Sequence, residues 1–348
     1  VKRRAALLAA VLLAALAPRA AEAHVKWFED SGKYPLQSDL VLSSRTALFL
    51  AVAAGALLGL YALQRLLGSP HWPEIAFLRQ MALGAPTLLA IQAAIGLVHA
   101  AVQPVLFAPN LPLARNAGGF LLAGLQIAIA FTFITGLADW AGAIALILLV
   151  PLAFFFFAPF DVLEQFFWVG IGVVLLVVGR FAPDSSKVRP WFQRRTRAWS
   201  ARAIAILRVI TGVAIVDPAF SEKLWNPGIG EAFLAHHPNF NFVQTYLGQA
   251  WCTNERFVLA AGIAEGVIGV LLISGLLTRV VILGMWVPFN LTVPFLPSAE
   301  LLGHIPIFGI MYLLLVHSSG IAPGESFHRP APPGTPGRKD QAHPPRSA

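Results

Sequence analysis

Apolar residues run along this chain in long blocks, with polar residues gathered between the blocks rather than alternating within them. Strict alternation would mean half-buried strands, and an apolar stripe at helical spacing would mean helices on a water-facing core. A helix that is apolar all round needs an apolar solvent, and roughly 20 such residues cross the hydrocarbon of a bilayer. Nine blocks qualify, at residues 46–67, 84–106, 119–137, 140–157, 162–179, 203–216, 257–277, 280–296 and 301–316. The sixth is short, and its helix is expected to begin earlier, within 199–202. The pattern predicts an all-α, polytopic membrane helical bundle of about nine transmembrane helices.

Composition agrees. The chain is 57% hydrophobic and 12% charged, whereas a soluble domain is about one quarter charged. The net charge of +8 sits in a few loops, which is a topology signal and not a nucleic-acid footprint. The single cysteine, Cys252, excludes an internal disulfide, CxxCH haem attachment and cysteine-ligated clusters.

The first segment reads as a signal peptide, residues 1–23. Lys2, Arg3 and Arg4 form a basic start, 5–17 an apolar core too short to span, and Ala21-Glu22-Ala23 an A-x-A cleavage site. Cleavage would leave His24 as the new N-terminus outside the cytoplasm. Counting nine spans from there places Arg180, Lys187, Arg189, Arg194, Arg195, Arg197 and Arg202 inside, with the Arg329–Arg346 tail. The segment 217–255 falls outside, with Lys223 among Asp217, Glu222, Glu231 and Glu255. The positive-inside bias thus predicts an N-out, C-in protein of the bacterial inner membrane. The expected parts are a periplasmic segment 24–45, a five-helix domain 46–180, a basic linker 181–199, a four-helix domain 200–319 with the periplasmic loop 217–255, and a disordered tail 320–348.

Few residues can carry chemistry in so apolar a chain. Glu265 falls near the middle of the seventh block, where an ionised carboxylate needs a partner inside the bundle. Arg208 is the first expected partner and Asn290 the second. Glu265 reads as a proton acceptor, or more plainly as an interhelical hydrogen-bonding group, which the adjoining Gly266 and Gly269 favour by allowing close helix approach. His24, His236, His237, His304 and His99 all fall toward the outer side, and imidazole suits copper, zinc or haem iron. A freed His24 would offer its α-amino group and its ring together to copper. No HxxxH, CxxC or HExxH spacing accompanies them, so ordinary loop and interface histidines are the plainer reading. Asp161 and Glu164 stand at i and i+3 on one helical face, a place the helix dipole favours. Trp27 and Phe28 suit the membrane interface.

The stretch Leu207-Arg208-Val209-Ile210-Thr211-Gly212, the Lys223-Leu224 pair, and Ala264-Glu265-Gly266-Val267-Ile268-Gly269 leading to Gly275-Leu276-Leu277-Thr278-Arg279 carry a resemblance. About a third of the chain, residues 200–318, resembles the DoxX family of small four-helix membrane proteins. The five N-terminal helices and the long loop depart from that pattern. Some members of the family are subunits of quinone-linked oxidoreductases, including thiosulfate:quinone systems. The resemblance therefore implies a redox-linked membrane subunit in which Glu265, Arg208 and Asn290 face a bound quinone. Two other readings stand beside it: a transporter or copper-handling protein using the outer histidines, and an accessory protein docking a membrane or periplasmic partner subunit without catalysis.

Overall fold

A computed structural model describes residues 25–67, 76–180, 199–292 and 298–317. A short helix α1 (Val25–Phe28) is followed by α2 (Ser44–Leu67), α3 (Ala76–Val102), α4 (Ala117–Thr135), α5 (Asp139–Ala153), α6 (Pro159–Leu163) and α7 (Phe167–Val177). Then come α8 (Ser200–Ala219), which continues as a π turn through Phe220–Leu224, α9 (Pro227–His236), α10 (Phe242–Thr245), α11 (Asn254–Ser274), α12 (Thr278–Thr292) and α13 (Ser298–His317). No β-strand forms among the described residues; Val105 and Pro112 make an isolated bridge. Six helices are long and apolar enough to cross a membrane, and three shorter apolar helices accompany them. This is a multi-pass membrane protein.

The nine apolar blocks all carry helix, but two end early. The block at 84–106 stops being helical at Val102, and residues 103–116 fold back as a buried loop. Gln126, fully enclosed on α4, holds that loop: its Oε1 accepts from Phe107 N at 3.0 Å and its Nε2 donates to Val105 O at 2.9 Å. These bonds satisfy backbone groups that the helix would otherwise have satisfied. The block at 140–157 leaves the helix at Ala153, two residues after Pro151, and Phe154, Phe155 and Phe156 follow in turns.

The two helical parts interleave. α13 packs along α3, α7 along α8, and α2 along α11. One apolar core accordingly draws on both, from Leu89, Phe133, Leu146 and Ile171 to Leu207, Leu272, Met285 and Ile310. α2 stands at the edge with Leu50, Leu58 and Leu66 uncovered, as a helix bathed in lipid would.

Where α8 meets α11 the helices touch at backbone distance. A Cβ on Gly212 would lie 2.6 Å from Gly269 O, and one on Gly269 would lie 2.7 Å from Gly212 O. Without a hydrophobic drive between helices in lipid, such contact between small residues is what holds them. At the other end of α11, Gly275 takes a left-handed φ of 76°, and Arg208 fills the space a Cβ would need. The Arg208 guanidinium donates to Leu272 O at 2.6 Å and Ile273 O at 3.3 Å. Arg279 likewise donates to Leu315 O at 2.9 Å and Val316 O at 3.1 Å, and Arg180 donates to Phe133 O and Ile134 O. Three arginines thus satisfy the last carbonyls of α11, α13 and α4, where a helix end attracts positive charge.

Gly269→Val is expected to force α8 and α11 apart and to cost on the order of 1–3 kcal/mol, read as a lower thermal midpoint in detergent. Gly59→Ala, whose new Cβ would meet nothing within 4 Å, is expected to leave the midpoint where it was.

Candidate functional site

The polar residues of this bundle concentrate at the end that carries residues 25–45. Val25 is buried among Ile229, Phe233, Leu234 and Val258, so α1 is held to α9 and α11 by apolar packing. The chain then crosses the face and is tied at intervals. His236 Nδ1 meets Glu29 Oε1 at 2.6 Å, Asn226 donates to Tyr34 O at 2.7 Å, and Gln37 N donates to Trp225 O at 2.9 Å. Trp225 Nε1 donates to Thr46 Oγ1 at 3.1 Å, and Arg45 pairs with Glu255 at 2.5 Å.

From this docked segment Lys26 turns inward. Its Nζ lies 2.6 Å from Glu164 Oε1 and 3.3 Å from Asp161 Oδ1. The i, i+3 spacing of the two acids on α6 and its following turn does put both on one side, and that side receives a lysine. Glu164 Oε2 also accepts from Asn110 Nδ2 at 3.3 Å, which fastens the buried 103–116 loop to the same carboxylate. The side chains of Lys26 and Glu164 are 6% and 1% exposed, so neither charge has water in place of the other. Burial works against the lysine's charge, but Glu164, Glu222 and Asp161 outweigh it and hold its ammonium above the ordinary lysine range.

The far side of the cluster is built by the end of α8. Pro218 lacks the N–H that would bond back along the helix, and Phe220–Leu224 widen into a π turn. The turn carries Ser221, Glu222 and Leu224 into the interior, all three 2% exposed or less. Successive residues of a helix point about 100° apart, so Glu222 and Lys223 face different neighbours. Glu222 comes within electrostatic reach of Lys26 and Glu164. Lys223 Nζ reaches Glu265 Oε2 at 2.9 Å on α11 and stands 3.7 Å from Glu222 Oε2. Its stem lies against Gly262, where a Cβ would come within 2.9 Å of Lys223 Cβ. Asp217 is buried beside Ser221, and its charge is felt by Glu164.

Glu265 therefore has the polar partner its depth demands, but the partner is Lys223. Arg208, the expected one, is engaged with the α11 carbonyls. The side chain of Asn290 and the whole of His24 lie outside the described residues, as do the side chains of Trp27 and Phe28. His236 is paired with Glu29, and His237 lies against Phe233 and Phe240. His99 is partly buried on α3, and His304 lies on α13. Among the described residues, no group of three or more His, Cys, Asp or Glu side chains gathers so as to hold a metal ion. Nothing in the pattern of the sequence singles out Lys26, Glu222, Asp217 or Asn110 as parts of one site. A lysine just outside a span, and an acid–lysine pair just past a Pro in a span, were the available signals.

Comparison of the chain with protein-family models, with curated proteins and with solved structures finds no match.

Lys26→Met is expected to destabilise the protein by about 3–5 kcal/mol, the usual cost of stranding a buried partner, with the loss read by thermal unfolding. Lys26→Arg, which keeps the charge, should recover most of it. Because the lysine's folded value is raised, its stabilising contribution is complete below the ordinary lysine range and is lost only as pH rises through the higher folded value. Alkaline titration of the wild type against Lys26→Met should show the two stabilities converging only at that extreme.

Proposed function

We propose that this protein is a redox-linked subunit of a bacterial inner membrane that binds a quinone at the Glu265–Lys223 pair. The observation that carries the reading is the exposure of Glu265. Its side chain is 40% exposed on an apolar helix, eleven residues from the start of α11, while Lys223 holds one of its oxygens. A carboxylate at that depth on an apolar helix is costly even when paired, and such residues mark functional sites by default. A quinone is apolar, arrives through lipid, and needs only a few polar groups: a donor for a carbonyl oxygen and an acceptor for a hydroxyl proton. Lys223 is the donor and Glu265 the acceptor. Phe49, packed at Gly266, with Phe220 edge-on to it and Trp225 tilted against Phe220, supplies aromatic surface nearby. The electrons of a quinol pass to a redox centre on a partner subunit.

The resemblance of residues 200–318 to the DoxX family supports the same class. Its Gly-Leu-x-Thr-Arg turn has a physical purpose in this chain, since Gly275 makes room for Arg208 and Arg279 caps α13. The three shorter apolar helices complete nine spans. The N-terminal segment lies in the periplasm after signal cleavage, and the arginine-capped end lies in the cytoplasm, in keeping with the positive-inside bias.

A reporter active only in the cytoplasm should work when fused after Arg197 and fail when fused after Gly230; equal signals would overturn the topology. In lipid nanodiscs, quinone binding followed by quenching of tryptophan fluorescence should weaken about tenfold in Glu265→Gln and in Lys223→Met, the equivalent of one hydrogen bond to a charged group. Wild-type affinity in both variants would sink the quinone reading.

A further inference from the structure

Two ion-paired groups, Lys26 with Asp161 and Glu164 and Lys223 with Glu222 and Glu265, lie within electrostatic reach of each other and of Asp217. Asp161 and Glu164 come from α6 and its turn, Asp217 and Glu222 from the end of α8, and Glu265 from α11; Lys26 comes from α1 and Lys223 from the π turn. Asn110 of the 103–116 loop and Ser221 are its neutral members. Fully ionised, the group would carry three uncompensated negative charges in an apolar interior. The price of that in a low dielectric is far beyond what packing supplies, and carboxyl groups so placed take up protons instead.

A second feature points to what lies between them. Ser221 and Asp217 are 2% and 8% exposed and face each other, one serine hydroxyl for the two oxygens of a buried carboxyl group. Asn110 Oδ1, at the Glu164 end, is buried with no hydrogen-bond partner in the protein. Buried polar atoms seldom stay unsatisfied, and where several face one polar space, water is the usual partner. Water and carboxyl groups in alternation are also what a moving proton requires.

The cluster has two open ends and a closed middle. The Glu265 side chain is 40% exposed at mid-helix, and that of Asp161 is 21% exposed at the N-terminal face. Between them Glu222 and Glu164 are 0% and 1% exposed at their side chains. Each lysine bridges its acids closely, Lys223 at 2.9 Å from Glu265 and 3.7 Å from Glu222, and Lys26 at 2.6 Å from Glu164 and 3.3 Å from Asp161, while Glu222 and Asp217 reach Glu164 through their charge.

We infer that Glu265, Glu222, Asp217, Glu164 and Asp161 form a hydrated proton relay between the middle of the membrane and the N-terminal face, with Lys26 and Lys223 fixing how many protons it holds. The direction of flow rests on the quinone reading; the relay itself does not. When a quinol is oxidised to the quinone, its two O–H bonds break in succession, each toward the Glu265 carboxylate, which gains one proton each time and passes it on before the next. The electrons go to the partner's redox centre named above. The proton passes through Glu222, Asp217 and Glu164 and leaves to water at Asp161, so Glu265 returns to its starting charge.

The test is infrared spectroscopy of the full chain in nanodiscs without quinone. The wild type near neutral pH should show the carbonyl band of protonated carboxyl groups, shifting on transfer to heavy water. Asp217→Asn, Glu222→Gln and Glu164→Gln each remove a negative charge and are expected to fold, and each should lose part of that band. Asp161→Asn should keep most of the band and slow its deuterium shift. Absence of the band in the wild type, or an identical band in all three interior variants, would overturn the relay. Failure of quinone binding with the band and its exchange intact would remove the direction of flow and leave the relay standing. Normal quinone binding without the band would do the reverse.

Discussion

The contact on which the rest depends is the one between Lys26 and Glu164. It joins residues 138 apart in sequence, and it joins a segment ahead of the first described span to a carboxyl group enclosed at the same end of the bundle. A group as enclosed as Glu164 keeps a negative charge only beside a positive partner, and among the described residues Lys26 is the lysine or arginine that bonds to it. Docking of α1 is therefore a condition of the bundle's interior and not an addition to its surface. The apolar seat of Val25, the ties from Glu29 to Arg45 and the 103–116 loop all hold this lysine and this glutamate in register.

Charge in this molecule is sorted by depth. At one end, guanidinium groups meet backbone carbonyls, which are dipoles, and the arrangement needs no carboxylate. At the other, ammonium groups meet carboxylates, and acids outnumber bases. The backbone of α8 connects the two regimes. Arg208 near its start serves the end of α11, while Glu222 and Lys223 past its end face opposite neighbours. The π turn that follows Pro218 keeps the chain helical there, and the angle between successive helical residues lets consecutive side chains serve two sets of partners.

Much of the architecture was legible because lipid imposes a simple rule on sequence. Apolar blocks became helices, and Glu265 required and found a polar partner. The identity of that partner was not legible. Asp217-Pro218 reads as the end of a span, so Lys223 seemed to belong to a loop; in fact Pro218 widens the helix without ending it. Arg208 matched Glu265 in depth, but the carbonyls freed at Gly275 offered it a closer place. Lys26 was hidden for a different reason. Its role depends on docking across the whole chain, and periodicity carries no information about that. Residues 103–106 were mistaken for the end of a helix because Val105 and Leu106 are apolar enough to continue one, and the Gln126 side chain is what lets the backbone turn away there instead.

The arginine caps have a bearing on how the protein stays as it was inserted. Each guanidinium is engaged by carbonyls belonging to a helix other than its own. Turning any one helix over would uncover a fixed positive charge and bare a neighbour's terminal carbonyls in hydrocarbon in the same movement. Orientation is then guarded pairwise: the segment after α7 locks to α4, α8 to α11 and α12 to α13, and a helix that entered the bilayer late would be held in place by those already there.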